Sequence, residues 1–295
     1  MSYDATHARL RARFGSGVEA WWQAVPALLA ELSDRWAVTL GEPVGRGNTS
    51  LVIRCHRADG GRAIVKLTPD TRLAVAEATA LKSWASSERV PELWAHDTKR
   101  GALLLEAIGG EVPLSESATT VPVEHIAPVI HALHTSGLPV NGSGIGSLTD
   151  RVDFLFNYWT ERSRHQPEVI DLIPPTRLKQ GHELARHLAG DSIATVLLHG
   201  DLHPGNVLDS RTSRGLVAID PRPCMGDPAF DAIDWVFAAP NPTAWSARSD
   251  ALAAALDIPA ERVARWSSAM ATLLAAGRAS RGASAEVAVI LELAA

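Results

Sequence analysis

One stretch constrains this 295-residue chain more than any other: Leu197-Leu198-His199-Gly200-Asp201-Leu202-His203-Pro204-Gly205-Asn206-Val207-Leu208, then Val217-Ala218-Ile219-Asp220-Pro221. It reads as strand, tight polar loop, strand, short turn, strand, acid. That order presents His199, Asp201, Asn206 and Asp220 around one point. A carboxylate five residues before an Asn, with a second carboxylate just past the next apolar strand, suits phosphoryl transfer. Asp201 can orient and deprotonate an attacking hydroxyl, while Asn206 and Asp220 offer oxygen ligands to Mg²⁺ on a nucleotide. His199 is expected to hold the loop by hydrogen bonds. His203 is either a loop-surface residue or a contact to substrate or phosphate. A loop merely rich in turn formers explains Gly200, Pro204 and Gly205, but not two carboxylates and an Asn bordering three apolar strands.

The charge balance, 28 basic against 33 acidic residues and a net −5, disfavours nucleic acid as partner, because duplex binding needs a basic face. It suits a small cationic substrate. Met1–Gly15 is polar and lacks the apolar core of a signal peptide, and no uninterrupted apolar run reaches the roughly 18 residues of a membrane span. A cytoplasmic location is the expectation, with Cys55 and Cys224 as free thiols.

Apolar spacing predicts a helix over residues 7–34, ended by Ser33-Asp34. Strands follow at Trp36–Leu40, Leu51–Cys55 and Arg62–Leu67. A helix capped by Asp70 and Thr71 runs to Ala85, and strands recur at Leu93–His96 and Ala102–Ala107. This β-β-β-α-β-β order forms a compact lobe. Gly109-Gly110 marks a hinge, beyond which a helix spans Val123–His134. Two helices divided by Pro174-Pro175 occupy 148–190, the motif region forms a hairpin, and residues from 228 onward are mostly helical. The expected division is an N-terminal helical segment over 1–35, a nucleotide-binding N-lobe over 36–108, and a catalytic, substrate-binding C-lobe over 109–295.

Three further features point the same way. The connection 41–50, with Gly45, Gly47, Asn48, Thr49 and Ser50, can bring backbone N–H groups and hydroxyls to phosphate oxygens. It is neither a Walker A loop nor a Rossmann turn. Lys66 stands in an apolar strand and needs a negative partner, for which Glu77 on the next helix is best placed; such a pair aims the ammonium at α- and β-phosphates. Asp231 and Asp234, three apart, share a helical face. They can brace the catalytic loop, the role favoured for Asp231, or contact a cationic substrate. Asp150, Asp153, Glu161 and Glu168 fall in a segment placed over the pocket, where Asp153 is a further candidate substrate contact and a solvated helix face is the alternative.

His199-Gly-Asp201-Leu-His-Pro-Gly-Asn206, Ile219-Asp220-Pro221 and Gly226-Asp227-Pro228-Ala-Phe-Asp231 together resemble the aminoglycoside phosphotransferases, nearest to the streptomycin 6-kinase and hydroxyurea kinase branch. The resemblance spans Val38 to Trp235. It implies an α+β, two-lobed protein-kinase-like fold, with an N-lobe antiparallel sheet plus helix and a mainly helical C-lobe. It also implies ATP, or GTP, between the lobes. By the same likeness Asp201 matches the catalytic Asp, Asn206 and Asp220 the Mg²⁺ ligands, and Lys66 with Glu77 the phosphate-binding pair. Leu103–Ile108, including Glu106 and Ile108, matches the hinge that holds adenine. Departures exist: Pro221-Arg222-Pro223 follows Asp220 where protein kinases carry Phe-Gly, and no Ala-Pro-Glu closes an activation loop, so a protein substrate is not expected. The acceptor implied is a hydroxyl of a polar, cationic antibiotic. A metabolic kinase for a sugar or amino alcohol, and a nucleotide-binding pseudokinase, are the rival readings.

Overall fold

Alternating side chains along three strands decide which face of the N-lobe sheet meets the cleft. The computed structural model describes residues 3–45, 49–109, 113–116, 120–138, 144–192, 194–239, 243–282 and 284–294. Two helices come first, α1 (Asp4–Phe14) and α2 (Val18–Trp36). They are followed by β1 (Val38–Pro43), β2 (Leu51–Arg57), β3 (Arg62–Leu67), α3 (Thr71–Ser83), β4 (Leu93–Asp97) and β5 (Ala102–Glu106). The strands make one antiparallel sheet in the order β1-β2-β3-β5-β4. Leu51, Ile53, Cys55, Ala63, Val65, Leu67 and Leu104 share one face and pack on Val25, Leu29 and Leu32 of α2. Leu103 and Leu105 of β5 turn the other way, into the core shared with α3 and the C-lobe. Lys66 also lies on this second face, in register between Val52 and Leu103.

The expected single helix over 7–34 is two helices. A 3₁₀ turn at Gly15–Gly17 separates them, and Gly15 takes φ 71°, a left-handed value that an L side chain resists. Nor does Ser33-Asp34 end the second helix. It runs through Trp36, closes on Ala37 in the left-handed region, and Ser33 Oγ donates to the Val38 carbonyl, so the strand starts at Val38. Asp70 caps α3 by accepting from the Arg72 amide at 3.1 Å.

Beyond the hinge come α4 (Val123–Thr135), β6 (Gly146–Ser147), α5 (Leu148–Ser163), α6 (Pro167–Leu172), α7 (Pro175–Gly190), β7 (Val196–Leu198), β8 (Val207–Asp209), β9 (Leu216–Ala218) and β10 (Cys224–Gly226). The chain ends with α8 (Ile233–Val236), α9 (Thr243–Leu256), α10 (Ala260–Ala279) and α11 (Ser284–Glu292). Three helices, not two, fill 148–190, because Pro167 starts a short extra one. The motif region is only partly a hairpin. Strands β8 and β9 pair with each other, whereas β7 pairs with β10. The C-lobe core gathers on α10 through Val263, Trp266, Met270 and Leu273, and extends to Ala78, Leu81 and Trp84 around α3. Trp84 Nε1 donates to the Leu133 carbonyl at 2.9 Å, which ties α3 to α4. No helix among the described residues is long and apolar enough to cross a membrane.

Candidate active site

The loop after β7 is shaped by a glycine that nothing else could replace. Gly200 sits at φ 73°, and a Cβ there would stand 2.1 Å from the Arg222 carbonyl oxygen. Asp231 fastens this loop from below: its carboxylate accepts from the His199 amide at 2.8 Å and the Gly200 amide at 2.9 Å, with His134 Nε2 at 3.0 Å. Burial would raise the Asp231 pKa, but the hydrogen bonds from His134 and the Gly200 amide keep it below the usual carboxylate range. His199 is fully buried, so its pKa is pushed down and the ring is neutral. The ring meets the Ile219 carbonyl through Nε2 at 3.1 Å; a carbonyl only accepts, so Nε2 carries the proton. His199 therefore fixes the loop to the strand end that carries Asp220.

Asp201 projects from this loop. Arg151 of α5 donates through Nε to the Gly200 carbonyl and through Nη2 to Asp201 Oδ1, both at 3.0 Å. Asn206 spends its amide N–H on the Asp201 carbonyl at 2.9 Å, which leaves Oδ1 for a ligand. Asp220 is held in the left-handed region, φ 57°, by two flanking backbone bonds: Ile219 N to the Asn206 carbonyl and Arg222 N to the His199 carbonyl, each 2.8 Å. Lys66 Nζ reaches Glu77 at 2.6 and 2.7 Å and Asp220 Oδ1 at 2.6 Å. Burial would favour neutral Lys66, but Asp220 and Glu77 outweigh it and raise its pKa. Asp220 feels the converse. Burial opposes its charge, yet Lys66 and Arg222 hold it well below the usual carboxylate range.

This donor set fits Mg²⁺, which takes one or two protein oxygens and completes its shell with phosphate and water. Asn206 and ionised Asp220 supply those two. Among the described residues no cluster of three or more His, Cys, Asp or Glu could hold a metal alone.

Two cavities meet at Asp201. The first, about 860 Å³, runs between the lobes past Val52, Lys66, Glu77, Glu106, Ile108, Leu208, Ile219, Asp220 and Arg222. The second, about 710 Å³, lies in the C-lobe between the catalytic loop, Trp159, Asp234, Phe237, Met270 and Arg278. Asp201, His203, Gly205 and Trp159 border both.

Thr49, Ser50, Lys66, Glu77, Glu106, Ile108, Asp201, Asn206 and Asp220 all line the inter-lobe cavity. The Glu106 side chain is committed to Arg214 at 2.6 Å, so any hinge role falls to backbone. Gly45 is exposed and outside the lining, while Gly47, Asn48, Gly110 and the Glu168 side chain lie outside the described residues. His203 Nδ1 accepts from the Gly205 amide at 3.0 Å, and the residue borders both cavities. Asp234 lines the second cavity, its pKa raised first by burial and then by Asp201 and Asp231.

Of the expected substrate contacts, Asp153 is corrected. Asp231 is buried and braces the catalytic loop through both oxygens, and it also borders the second cavity. Asp153 faces α7, bonded to His182 at 2.7 Å and Arg186 at 2.8 Å, because it lies on a different face of α5 from Arg151 and Leu155, which border the cavity. Asp150 closes a capping box with Ser147, and Glu161 pairs on the surface with Arg164. Arg151 and Arg222 were missed by sequence reading. Arg222 had the faint signal of its place two residues after Asp220; Arg151 had none.

The chain is similar along most of its length to known proteins. A family model described as aminoglycoside/hydroxyurea antibiotic resistance kinase matches residues 35–282. The streptomycin 6-kinase of Streptomyces glaucescens is 32% identical over 232 residues, covering 77% of this chain and 70% of that protein. The hydroxyurea phosphotransferase of Kitasatospora aureofaciens is 26% identical over 265 residues, covering 85% and 72%. Among solved structures, the macrolide 2'-phosphotransferase of Brachybacterium faecium superposes with a TM-score of 0.57 at 20% identity, covering 92% of this chain and 97% of that one, which shows the kinase-like fold. The chain belongs to the aminoglycoside/hydroxyurea antibiotic resistance kinases, and is a small-molecule kinase.

Proposed function

We propose that this kinase moves the terminal phosphoryl group of MgATP to a hydroxyl of a small polar antibiotic held in the second cavity. The carrying observation is the placement of Asp201: Arg151 orients it, and it stands where the nucleotide-sized cleft opens into a separate pocket. The base between Val52, Ile108, Leu208 and Ile219 meets apolar walls, and Lys66 grips the phosphates. Bound Mg²⁺, held by Asn206 and Asp220, would neutralise charge on the phosphates. Lys66 and Arg222 already answer Glu77 and Asp220, so the chain's own cations do not balance a triphosphate. Asp201 accepts the proton of the acceptor hydroxyl and aligns its oxygen; Asp234 offers a carboxylate to a cationic group of the same acceptor.

Asp201→Asn keeps the shape of the side chain and most of its hydrogen bonds but removes the base. Turnover should fall about 10²–10⁴-fold. Nucleotide affinity, read by calorimetry, should stay within about three-fold, since Asp201 does not hold phosphate in this scheme. Unchanged turnover would falsify the assignment. An acceptor panel with coupled ADP detection, including streptomycin and hydroxyurea, tests the substrate class. A metabolic acceptor is favoured by one feature: Leu273, Leu274, Phe237, Arg278 and Arg281 also line the pocket, so it is not a uniformly acidic trap for polycations. Signal from a sugar or amino alcohol, with silence from both drugs, would select that reading.

A further inference from the structure

Arg222 is anchored more firmly than its neighbours require. Its amide donates to the His199 carbonyl at 2.8 Å, and its own carbonyl fills the space that only Gly200 leaves open. Pro221 before it restricts the backbone further. The side chain, 12% exposed, crosses the cleft from the C-lobe and donates through Nη2 to Thr49 Oγ1, in the connection between β1 and β2, at 2.5 Å. The same nitrogen lies 3.3 Å from Asp220 Oδ1, an oxygen that Lys66 already holds at 2.6 Å. So the guanidinium has a neutral hydroxyl, the Pro221 carbonyl at 3.4 Å and a shared carboxylate for partners. It shares that carboxylate with Lys66 and faces the same cavity as Lys66 and Asp201.

We propose that Arg222 binds the terminal phosphoryl group, and that its bond to Thr49 is the resting position of that contact. This rests on the kinase reading above. Lys66 is a point charge fixed by two carboxylates, suited to the inner phosphates. A guanidinium offers a planar fork that can take two oxygens of one phosphoryl group. During transfer the acceptor oxygen forms a bond to the terminal phosphorus and its proton passes to Asp201. The bond from that phosphorus to the bridging oxygen breaks, and the electron pair leaves with ADP. Arg222 gives and takes no proton; it donates hydrogen bonds to the oxygens that carry charge as the bond breaks.

The test compares wild type, Arg222→Lys and Arg222→Met in calorimetric titrations with ADP and with the β,γ-imido analogue of ATP, both with Mg²⁺, after a melting curve on each variant. Arg222→Met should lose roughly ten-fold or more in affinity for the triphosphate analogue and under about three-fold for ADP, because only the former carries the group that Arg222 holds. Arg222→Lys should fall between, and decides the matter if the Met variant does not fold. Equal weakening of both ligands, or of neither, overturns the proposal while leaving the kinase reading intact. Wild type that binds neither nucleotide removes both.

Discussion

Lys66 is held by two carboxylates, and losing either should have a different effect. Glu77→Gln leaves the ammonium with Asp220, so the expected destabilisation, about 1–3 kcal/mol in urea titrations, falls short of the roughly 3–5 kcal/mol seen when a buried charge loses its only partner. The same change frees Lys66 to lean on Asp220 and compete with the metal, so KM for MgATP should rise more than kcat falls. A loss of kcat alone would contradict this. His199 supplies a pH signature. Burial holds its folded pKa below the ordinary value, while Asp231, Asp201 and Asp220 oppose that shift without reversing it. Below about 6.5 the unfolded chain therefore binds a proton that the folded chain refuses, and stability falls with falling pH. The carboxylates held low, Asp231 and Asp220, act in the same direction but at lower pH: below the ordinary carboxylate value near 3.9 the unfolded chain takes protons that they refuse, and stability falls further. His199→Gln should flatten the stability profile between pH 5 and about 6.5 in denaturant titrations; an unchanged slope would assign it elsewhere. Asp201, Asn206 and Asp220 were legible in the sequence because short loops on apolar strands fix them locally. Arg151 was not, since it meets Asp201 across 50 residues of chain. Asp153 misled because neighbours on one helix face different partners.

At the level of elements, α1 crosses from one lobe to the other. Tyr3 and His7 pack on Trp22 of α2, while Arg13 lies over the Phe154 and Tyr158 rings of α5 at 5.3 and 4.5 Å. Arg9, Ala12 and Arg13 border the inter-lobe cavity, so this helix straps its mouth. Each exposed cation–π contact is worth about 0.5–1 kcal/mol. Arg13→Ala should therefore barely move the unfolding midpoint, yet speed amide exchange in α1 relative to α2; equal rates in the variant and wild type would show that the strap is held elsewhere. Sequence periodicity merged α1 and α2 because both carry helical spacing, and only the φ of Gly15 tells them apart. The pairing of β7 with β10 was equally hidden: their partners lie 26 residues apart at Cys224 and Leu198, beyond the reach of hairpin signals. The strands themselves were legible one by one, because turn residues and a capped helix bound them; the pairing of β3 with β5, across α3 and β4, was not.

Among the described residues two large cores meet at a seam, and Ile108, Leu208 and Val217 form a small third cluster. One lies under α2 and the sheet; the other runs from α3 through the C-lobe to α10. Strand β5 contributes to both, Leu104 to the first and Leu103 and Leu105 to the second, and with Ile64 of β3 and Leu93 of β4 it stitches the sheet to the larger core. The smaller core should open first. Amides of β1 and β2, farthest from that stitch, should exchange faster than those of α10 in the free protein. A nucleotide touching Val52 and Lys66 on one side and Leu208 and Ile219 on the other adds a second stitch. At a ligand concentration about 100 times Kd, binding adds about 2.7 kcal/mol to the folded state. The β,γ-imido analogue with Mg²⁺ should therefore slow exchange in β2 and β3 most, and bring the two cores toward one melting transition. An acceptor molecule alone, seated among C-lobe residues, should protect α5 and α10 and leave the sheet unchanged. If the analogue protects α10 while β2 and β3 stay as in the free protein, the nucleotide is not between the lobes.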